Sequence, residues 1–180
     1  LAAGIRRVVV AATDPNPKVS GRGVSFLRRQ RLGVVLAPSG WRRKAGEQNE
    51  RFRTWITTGR PFVLAKWAES LDGKIASASG QSRWITGKDA RERAMRLREE
   101  YDSILVGCAT VAADDPRLTR RLGLNRSTEH WRIILDGRLR VSERAKVFRG
   151  PGRKVVVTAV HLSHPKVSRL TSRGVEVWSL

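Results

Sequence analysis

A chain of 180 residues with 40% hydrophobic and 29% charged content can bury a core, which excludes a disordered segment and fits one domain or a small pair. The formal charge of +20 favours anionic ligands, but the basic residues run from Arg6 to Arg173 without a block and no nucleic-acid motif joins them. One cysteine, Cys108, excludes a disulfide framework and a cysteine-rich zinc site, and no signal peptide or run of ~18 apolar residues is present, so the cytoplasm is expected and a membrane is not.

Leu1-Ala-Ala-Gly4 reads as the last turn of a helix closed by a glycine C′ residue, with no initiator methionine before it. Ile5 to Ala12 is a β-branched run, expected as a buried strand, and Asp14-Pro-Asn-Pro17 ends it as a turn. A helix over 24–31, a strand over 33–37 and one helix over 42–57 follow. That helix has an apolar face of Trp41, Ala45, Phe52, Trp55 and Ile56 and stops near Gly59. The link Thr57-Thr-Gly-Arg-Pro61 is the expected domain boundary, giving domains of 1–59 and 60–180.

Beyond it, Phe62 to Ala68 is expected as a strand that delivers Lys66 and then Ser-Leu-Asp-Gly73. A Gly/Ser loop leads to a helix over 88–101, with Thr86 as its N-cap, Asp89 in its first turn and a Glu92–Arg96 surface pair. Ala90, Ala94, Leu97 and Tyr101 form its expected buried stripe. Strands over 103–107, 132–136 and 154–158, a helix over 165–172 and a strand over 175–178 complete the chain. Cys108, at the end of one of these strands, reads as a buried or half-buried structural thiol. Strands alternating with helices predict an α/β fold with a largely parallel sheet. The histidines, His130, His161 and His164, fall on expected surface loops.

The motifs with chemistry crowd between Arg60 and Arg121. They are Ser-Leu-Asp-Gly73, Ser82-Arg-Trp-Ile-Thr-Gly87 and Asp114-Asp-Pro-Arg-Leu-Thr119, a succession of polar groups at strand ends suited to a ligand cleft. Together with Asp14-Pro-Asn-Pro…Gly-Arg-Gly23, this ordered set resembles the bifunctional riboflavin-biosynthesis deaminase/reductase. The resemblance implies the C-terminal part of a cytidine-deaminase-like domain followed by the first part of a dihydrofolate-reductase-like domain. The implied activity is NADPH-dependent reduction of the ribosyl side chain of 5-amino-6-(5-phosphoribosylamino)uracil. Its substrate is a phosphoribosylated pyrimidine, and oligomers form through the reductase domain.

By the same resemblance, Ala68, Trp84, Thr110 and Asp114 line the NADPH site, and Ser82, Arg98, Leu118 and Arg121 contact substrate. Each has a structural alternative: Trp84 as core, Thr110 as a helix cap, Asp114 as a turn former before Pro116, and Arg98 or Arg121 as surface charge. Lys66 and Asp72 are candidates for positioning the sugar, with no proton donor assigned. Zinc belongs to the deaminase chemistry, which needs a His-x-Glu and a Cys-x-x-Cys that this sequence does not contain. Asp14 and Asn16 either border that pocket or stabilise a turn.

Two departures are expected to matter. Gly137 stands where the family usually has a serine that contacts NADPH, a loss of about 0.5–1.5 kcal/mol for one hydrogen bond. The family's Glu-Gly-Gly segment would follow Leu180, so the chain is expected to be an internal fragment that binds NADPH poorly and turns over nothing. The alternatives are another dihydrofolate-reductase-like pterin or pyrimidine reductase and a basic nucleic-acid-binding module. The Asp-Pro-Asn-Pro block argues against the first, and a steep salt dependence of binding would mark the second.

Overall fold

The computed structural model describes residues 3–123 and 130–180. The expected opening helix turn falls partly on Leu1 and Ala2, outside the described residues. The chain forms two compact units, Leu1–Trp67 and Ala68–Leu180.

In the first unit, strand β1 (Arg7–Val10) pairs in parallel with β2 (Gly33–Leu36), and helix α1 (Arg22–Arg29) is the crossover between them. A lone two-stranded sheet cannot bury both faces. The first strand is therefore half exposed rather than buried, with Val9 at 63% exposure. Asp14 and Asn16 each accept a backbone N–H two residues on, at 2.8 and 2.9 Å, so both serve the turn that ends the strand.

The single helix expected over 42–57 is two: α2 (Ser39–Gln48) and α3 (Glu50–Thr58). Asn49 divides them at φ −104, its side-chain amide donating to the Ala45 carbonyl at 3.0 Å. Such local bonding competes with helix continuation. The break also disperses the expected apolar face, leaving Trp41, Phe52 and Trp55 exposed, while Gly59 caps α3 at φ 66. The strand expected over 62–68 does not form. A strand needs a neighbour for its N–H and C=O groups, and this apolar segment has no ladder with any described strand.

The second unit opens with α4 (Lys88–Glu100), capped by Gly87 rather than by the expected Thr86 side chain. Asp89 is in its first turn, and Glu92 pairs with Arg96 at 2.9 Å. The expected apolar stripe is shallow: Ala90 is exposed, and the one buried residue is Glu99. Then come β3 (Ser103–Gly107), α5 (Cys108–Asp114), β4 (Trp131–Leu135), β5 (Arg153–Thr158), α6 (Pro165–Thr171) and β6 (Glu176–Ser179). The four strands lie in sequence order and every pairing is parallel.

Right-handed crossovers that add strands in one direction all fall on the same face of a sheet. Val111 of α5 and Val167 and Leu170 of α6 accordingly share one core with Ile134 and Val156, both essentially inaccessible. Full burial of such a side chain contributes about 1.5–3 kcal/mol. The opposite face is open at Leu105, 55% exposed, and along the row of Leu135 and Trp178, while Val155 on that face is fully buried. At its amino end Arg153 lies 3.7 Å over the Trp131 ring and donates twice to Glu176, at 2.8 and 2.6 Å.

Candidate functional site

The loops that carry the candidate residues are built by short-range bonding. Ser70-Leu-Asp-Gly-Lys74 and Ser77-Ala-Ser-Gly-Gln81 fold into the same turn twice. In each, the first serine N–H donates to the fifth carbonyl at 2.9 Å, and the glycine N–H returns to that serine's carbonyl at 2.9 Å. The serine hydroxyl also accepts the fifth residue's N–H, at 3.0 and 3.1 Å. Gly73 and Gly80 sit at φ 76 and 80, a region L side chains enter at a cost.

These two turns line an open cavity of about 620 Å³ together with Ser82 and Trp84, a size within the range of small-molecule sites. The Trp84 ring is not core: it is 72% exposed, with the Arg91 guanidinium 4.5 Å from its centre. Arg83 donates to the Asp114 carbonyl at 3.1 Å and so ties this wall to the end of α5.

From Asp114 the chain enters a loop held in two left-handed conformations, Asp115 at φ 39 and Leu118 at φ 52. Neither residue is glycine, so the surroundings must hold them there. The Asp115 carboxylate accepts the Lys146 N–H at 2.8 Å and meets its ammonium at 3.1 Å. The backbone bond from Lys146, first, and its side-chain bond lower the Asp115 pKa. Leu118 is buried in the core, 4% exposed, and its carbonyl lies 3.1 Å from His130 Nε2, so the structure gives it a packing role and no surface for a ligand.

His130 is therefore not the surface residue expected from sequence. It precedes β4, which carries it under the loop to 9% exposure. Beside it, Arg132 is fully buried and donates to the carbonyls of Arg117, Val147, Arg149, Gly150 and Pro151. His161 and His164 are exposed, and His164 caps α6 by accepting the Lys166 N–H at 3.2 Å.

The loop ends against α4. Glu99, 4% exposed, accepts the N–H groups of Arg121 and Leu122 at 3.0 Å each. Arg120 reaches the other way, donating to the carbonyls of Arg98 at 3.0 Å and Tyr101 at 2.7 Å. This brings the guanidiniums of Arg98 and Arg121 into each other's field. Burial first, and then the Arg121 charge, lowers the Arg98 pKa. Two like charges held in this way favour an anion between them.

The candidates thus fall into separate groups. Ser82, Trp84 and Asp114 meet through Arg83, while Arg98, Leu118 and Arg121 meet through Glu99, Arg120 and His130 near the amino ends of β3 and β4. Thr110, the third residue of α5 and no cap, stands toward the carboxyl end of β3, as Gly137 does for β4. A side chain added at Gly137 would meet nothing within 4 Å. Lys66 and Asp72 are exposed, Ala68 is half buried, and Cys108 is a half-buried thiol that accepts from Arg140 at 3.6 Å. Among the described residues no His, Cys, Asp and Glu group could hold a metal ion, and no helix is long and apolar enough to cross a membrane.

The RibD C-terminal domain family model matches residues 61–180. The chain belongs to this family. RibD of Aquifex aeolicus is 42% identical over 174 residues, covering 97% of this chain and 48% of its own length. RibD of Bacillus amyloliquefaciens is 40% identical, covering 98% and 47%. The chain therefore spans about half the length of the curated relatives it matches. Among solved structures, a Thermotoga maritima diaminohydroxyphosphoribosylaminopyrimidine deaminase/5-amino-6-(5-phosphoribosylamino)uracil reductase superposes with a TM-score of 0.76 at 34% identity, covering 99% of this chain and 54% of its own. RibD of Acinetobacter baumannii gives 0.78 at 34% identity, covering 99% and 49%. These matches favour the riboflavin-biosynthesis reading over both alternatives.

The buried histidine predicts a pH dependence of stability. Desolvation, the largest cause, lowers the His130 pKa, against the Leu118 carbonyl bond and with the nearby Arg120, Arg132 and Arg98 charges. A depressed folded-state value means the unfolded chain binds the proton first, so stability is full above the ordinary pKa of about 6.5 and falls as pH drops below it. One proton limits the slope to about 1.4 kcal/mol per pH unit. Urea unfolding at pH 7.5, 6.5 and 5.5 should show this loss in the unaltered chain and a flatter profile in His130→Gln. Equal slopes in the two would remove His130 as the cause.

Proposed function

We propose that residues 60–180 form part of an NADPH-dependent reductase that acts on 5-amino-6-(5-phosphoribosylamino)uracil in riboflavin biosynthesis. Residues 1–59 are then the terminal part of a deaminase-like domain whose zinc site lies in the part of the relatives not matched here. What carries the reading is the junction where Arg120 bonds the Arg98 carbonyl and Glu99 takes the Arg121 N–H, which sets two arginines at one place in a chain of the RibD family. Such a pair suits the 5′-phosphate of a ribosyl substrate because each guanidinium donates as a planar fork.

The parts suit the cofactor as well. Trp84 offers an exposed flat ring beside the cavity, and Gly137 leaves open space at the carboxyl end of a parallel strand, where α/β sheets bind ligands. When bound, NADPH supplies the hydride delivered to the sugar C1′. The chain's own residues orient the partners: Trp84, Asp114, Thr110 and Ala68 take the cofactor, Ser82 reaches substrate from beside Trp84 in the same cavity, and Arg98 and Arg121 take the substrate phosphate. Cytoplasmic action and homo-oligomerisation through residues 60–180 belong to the same reading.

The test is binding of the phosphoribosylaminouracil and of NADPH, followed by Trp fluorescence, in the unaltered chain and in Gly137→Ser. The pyrimidine should bind, NADPH should bind more tightly than NADH, and Gly137→Ser should tighten NADPH by up to about tenfold, one regained hydrogen bond. Open space at this position predicts an unchanged Tm. No binding of the pyrimidine, or NADPH and NADH bound alike, would sink the assignment.

A further inference from the structure

Glu99 has no obvious reason to stand beside an anion site. It is a buried carboxylate next in sequence to Arg98, and by charge alone it repels the phosphate that Arg98 and Arg121 would hold. Its contacts give the reason. From the last turn of α4 it takes the consecutive N–H groups of Arg121 and Leu122 at 3.0 Å each, while Arg120 donates back to the Arg98 and Tyr101 carbonyls. Helix and loop are latched in both directions, and Arg121 is held by its own N–H bond and by the bonds made on either side of it, by Arg120 and Leu122.

We propose that Glu99 is a positioning residue for anion binding: its carboxylate grips the Arg121 and Leu122 amides and so fixes the Arg121 guanidinium opposite Arg98. The inference rests on the reading of Arg98 and Arg121 as a phosphate-monoester site. The position of Glu99 aids binding and its charge opposes it, so variants that separate the two change affinity in opposite senses.

Ribose 5-phosphate serves as the probe, titrated into the full 180-residue chain and three variants. Glu99→Gln keeps an acceptor oxygen at the same reach and removes the charge, so it should bind as well as the unaltered chain or several-fold tighter. Glu99→Leu removes both and should bind roughly tenfold more weakly or worse, the loss of hydrogen bonds to a charged group. Glu99→Asp keeps the charge but is one methylene shorter, and it should lose affinity too. Amide hydrogen exchange supplies the second readout. The Arg121 and Leu122 amides should exchange faster in the Leu and Asp variants, while those of β4 and β5 stay protected.

If Gln and Leu tighten binding alike, Glu99 is a repelling charge only and the proposal is overturned. If Asp and Leu both match the unaltered chain, it is overturned as well. Should Leu fail to fold, the Gln and Asp pair decides, since Gln must hold the amides and Asp must release them. No ribose 5-phosphate binding by the unaltered chain, with the two amides nevertheless released in the Asp variant, would defeat the anion-site reading and reduce Glu99 to a structural latch.

Discussion

Arg132→Met should cost the second unit at least about 3 kcal/mol, the largest stability loss of any single substitution considered, because several hydrogen bonds to a charged group each net about 1.5–3 kcal/mol. The guanidinium is fully buried on β4 and takes five main-chain carbonyls, three of them within 2.8 Å. Methionine fills a similar volume but donates nothing, leaving the buried Val147 carbonyl without its partner at about 1–3 kcal/mol, while the other four acceptors belong to exposed residues and lose only their bond to the cation. The terms do not simply add, since removing the charge also returns its desolvation cost; that cost is visible as a pKa lowered by burial. Arg132→Lys keeps the charge yet cannot span five acceptors, so it should also be destabilising. Urea unfolding followed by near-UV circular dichroism measures both variants. A loss below about 1 kcal/mol for Met would show that the carbonyls find water instead.

The consequence reaches the site. Arg132 joins the Arg117 carbonyl to the turn at 146–151, and Lys146 in that turn holds Asp115, so one buried cation braces the first half of the Asp114–Arg121 loop. Partial loosening of Arg132 would free the left-handed residues Asp115 and Leu118 before it unfolded the sheet.

Much of the fold was legible because its signals are local. The apolar runs of β3, β4 and β5 are bounded by turn residues, and Pro165 and Gly174 bracket the α6 region, so these elements appear where the sequence places them within a residue or so. What failed depends on partners. Whether Phe62–Ala68 forms a strand is decided by a neighbouring edge, which no periodicity within the segment encodes. Whether Trp41, Phe52 and Trp55 are buried depends on what packs against α2 and α3. The division at Asn49 had a local cause, but an Asn inside an amphipathic pattern is ambiguous between a solvent-facing residue and a cap.

The site shows the same divide. The candidate contacts came from motif resemblance, and the structure assembles Ser82, Trp84 and Asp114 on one side and Arg98, Leu118 and Arg121 on the other. The residues that hold them, Glu99, His130 and Arg132, carried no motif. Arg132 did have a signal, a charge at an inward position of the run Trp131-Arg-Ile-Ile-Leu135, flanked in register by Ile104 and Lys154. A buried arginine there needs acceptors for its charge, and the two terminal nitrogens of Arg132 find them. The doubled Ser-x-x-Gly of Ser70–Gly73 and Ser77–Gly80 was equally readable as one turn used twice. Glu99, one of several glutamates on a charged helix, offered no such clue.

The Arg98–Arg121 pair carries the second large prediction, and its force lies in opposite signs for binding and stability. Arg98→Ala or Arg121→Ala should each weaken ribose 5-phosphate binding about 10–100-fold, the equivalent of about 1.5–3 kcal/mol for hydrogen bonds to a charged group. Arg121→Ala should leave Tm unchanged or raise it, because it removes the charge that depresses the Arg98 pKa, and sites arranged for binding commonly store such repulsion. The double variant should lose little more than either single one, since a phosphate clamped from two sides loses most of its geometry with the first arm. Raising salt should weaken the unaltered chain most and the double variant least. Isothermal titration with ribose 5-phosphate and thermal unfolding on the same samples give both quantities. A drop in Tm for Arg121→Ala with unchanged affinity would make the pair ordinary surface charge, and the substrate would have to be held elsewhere.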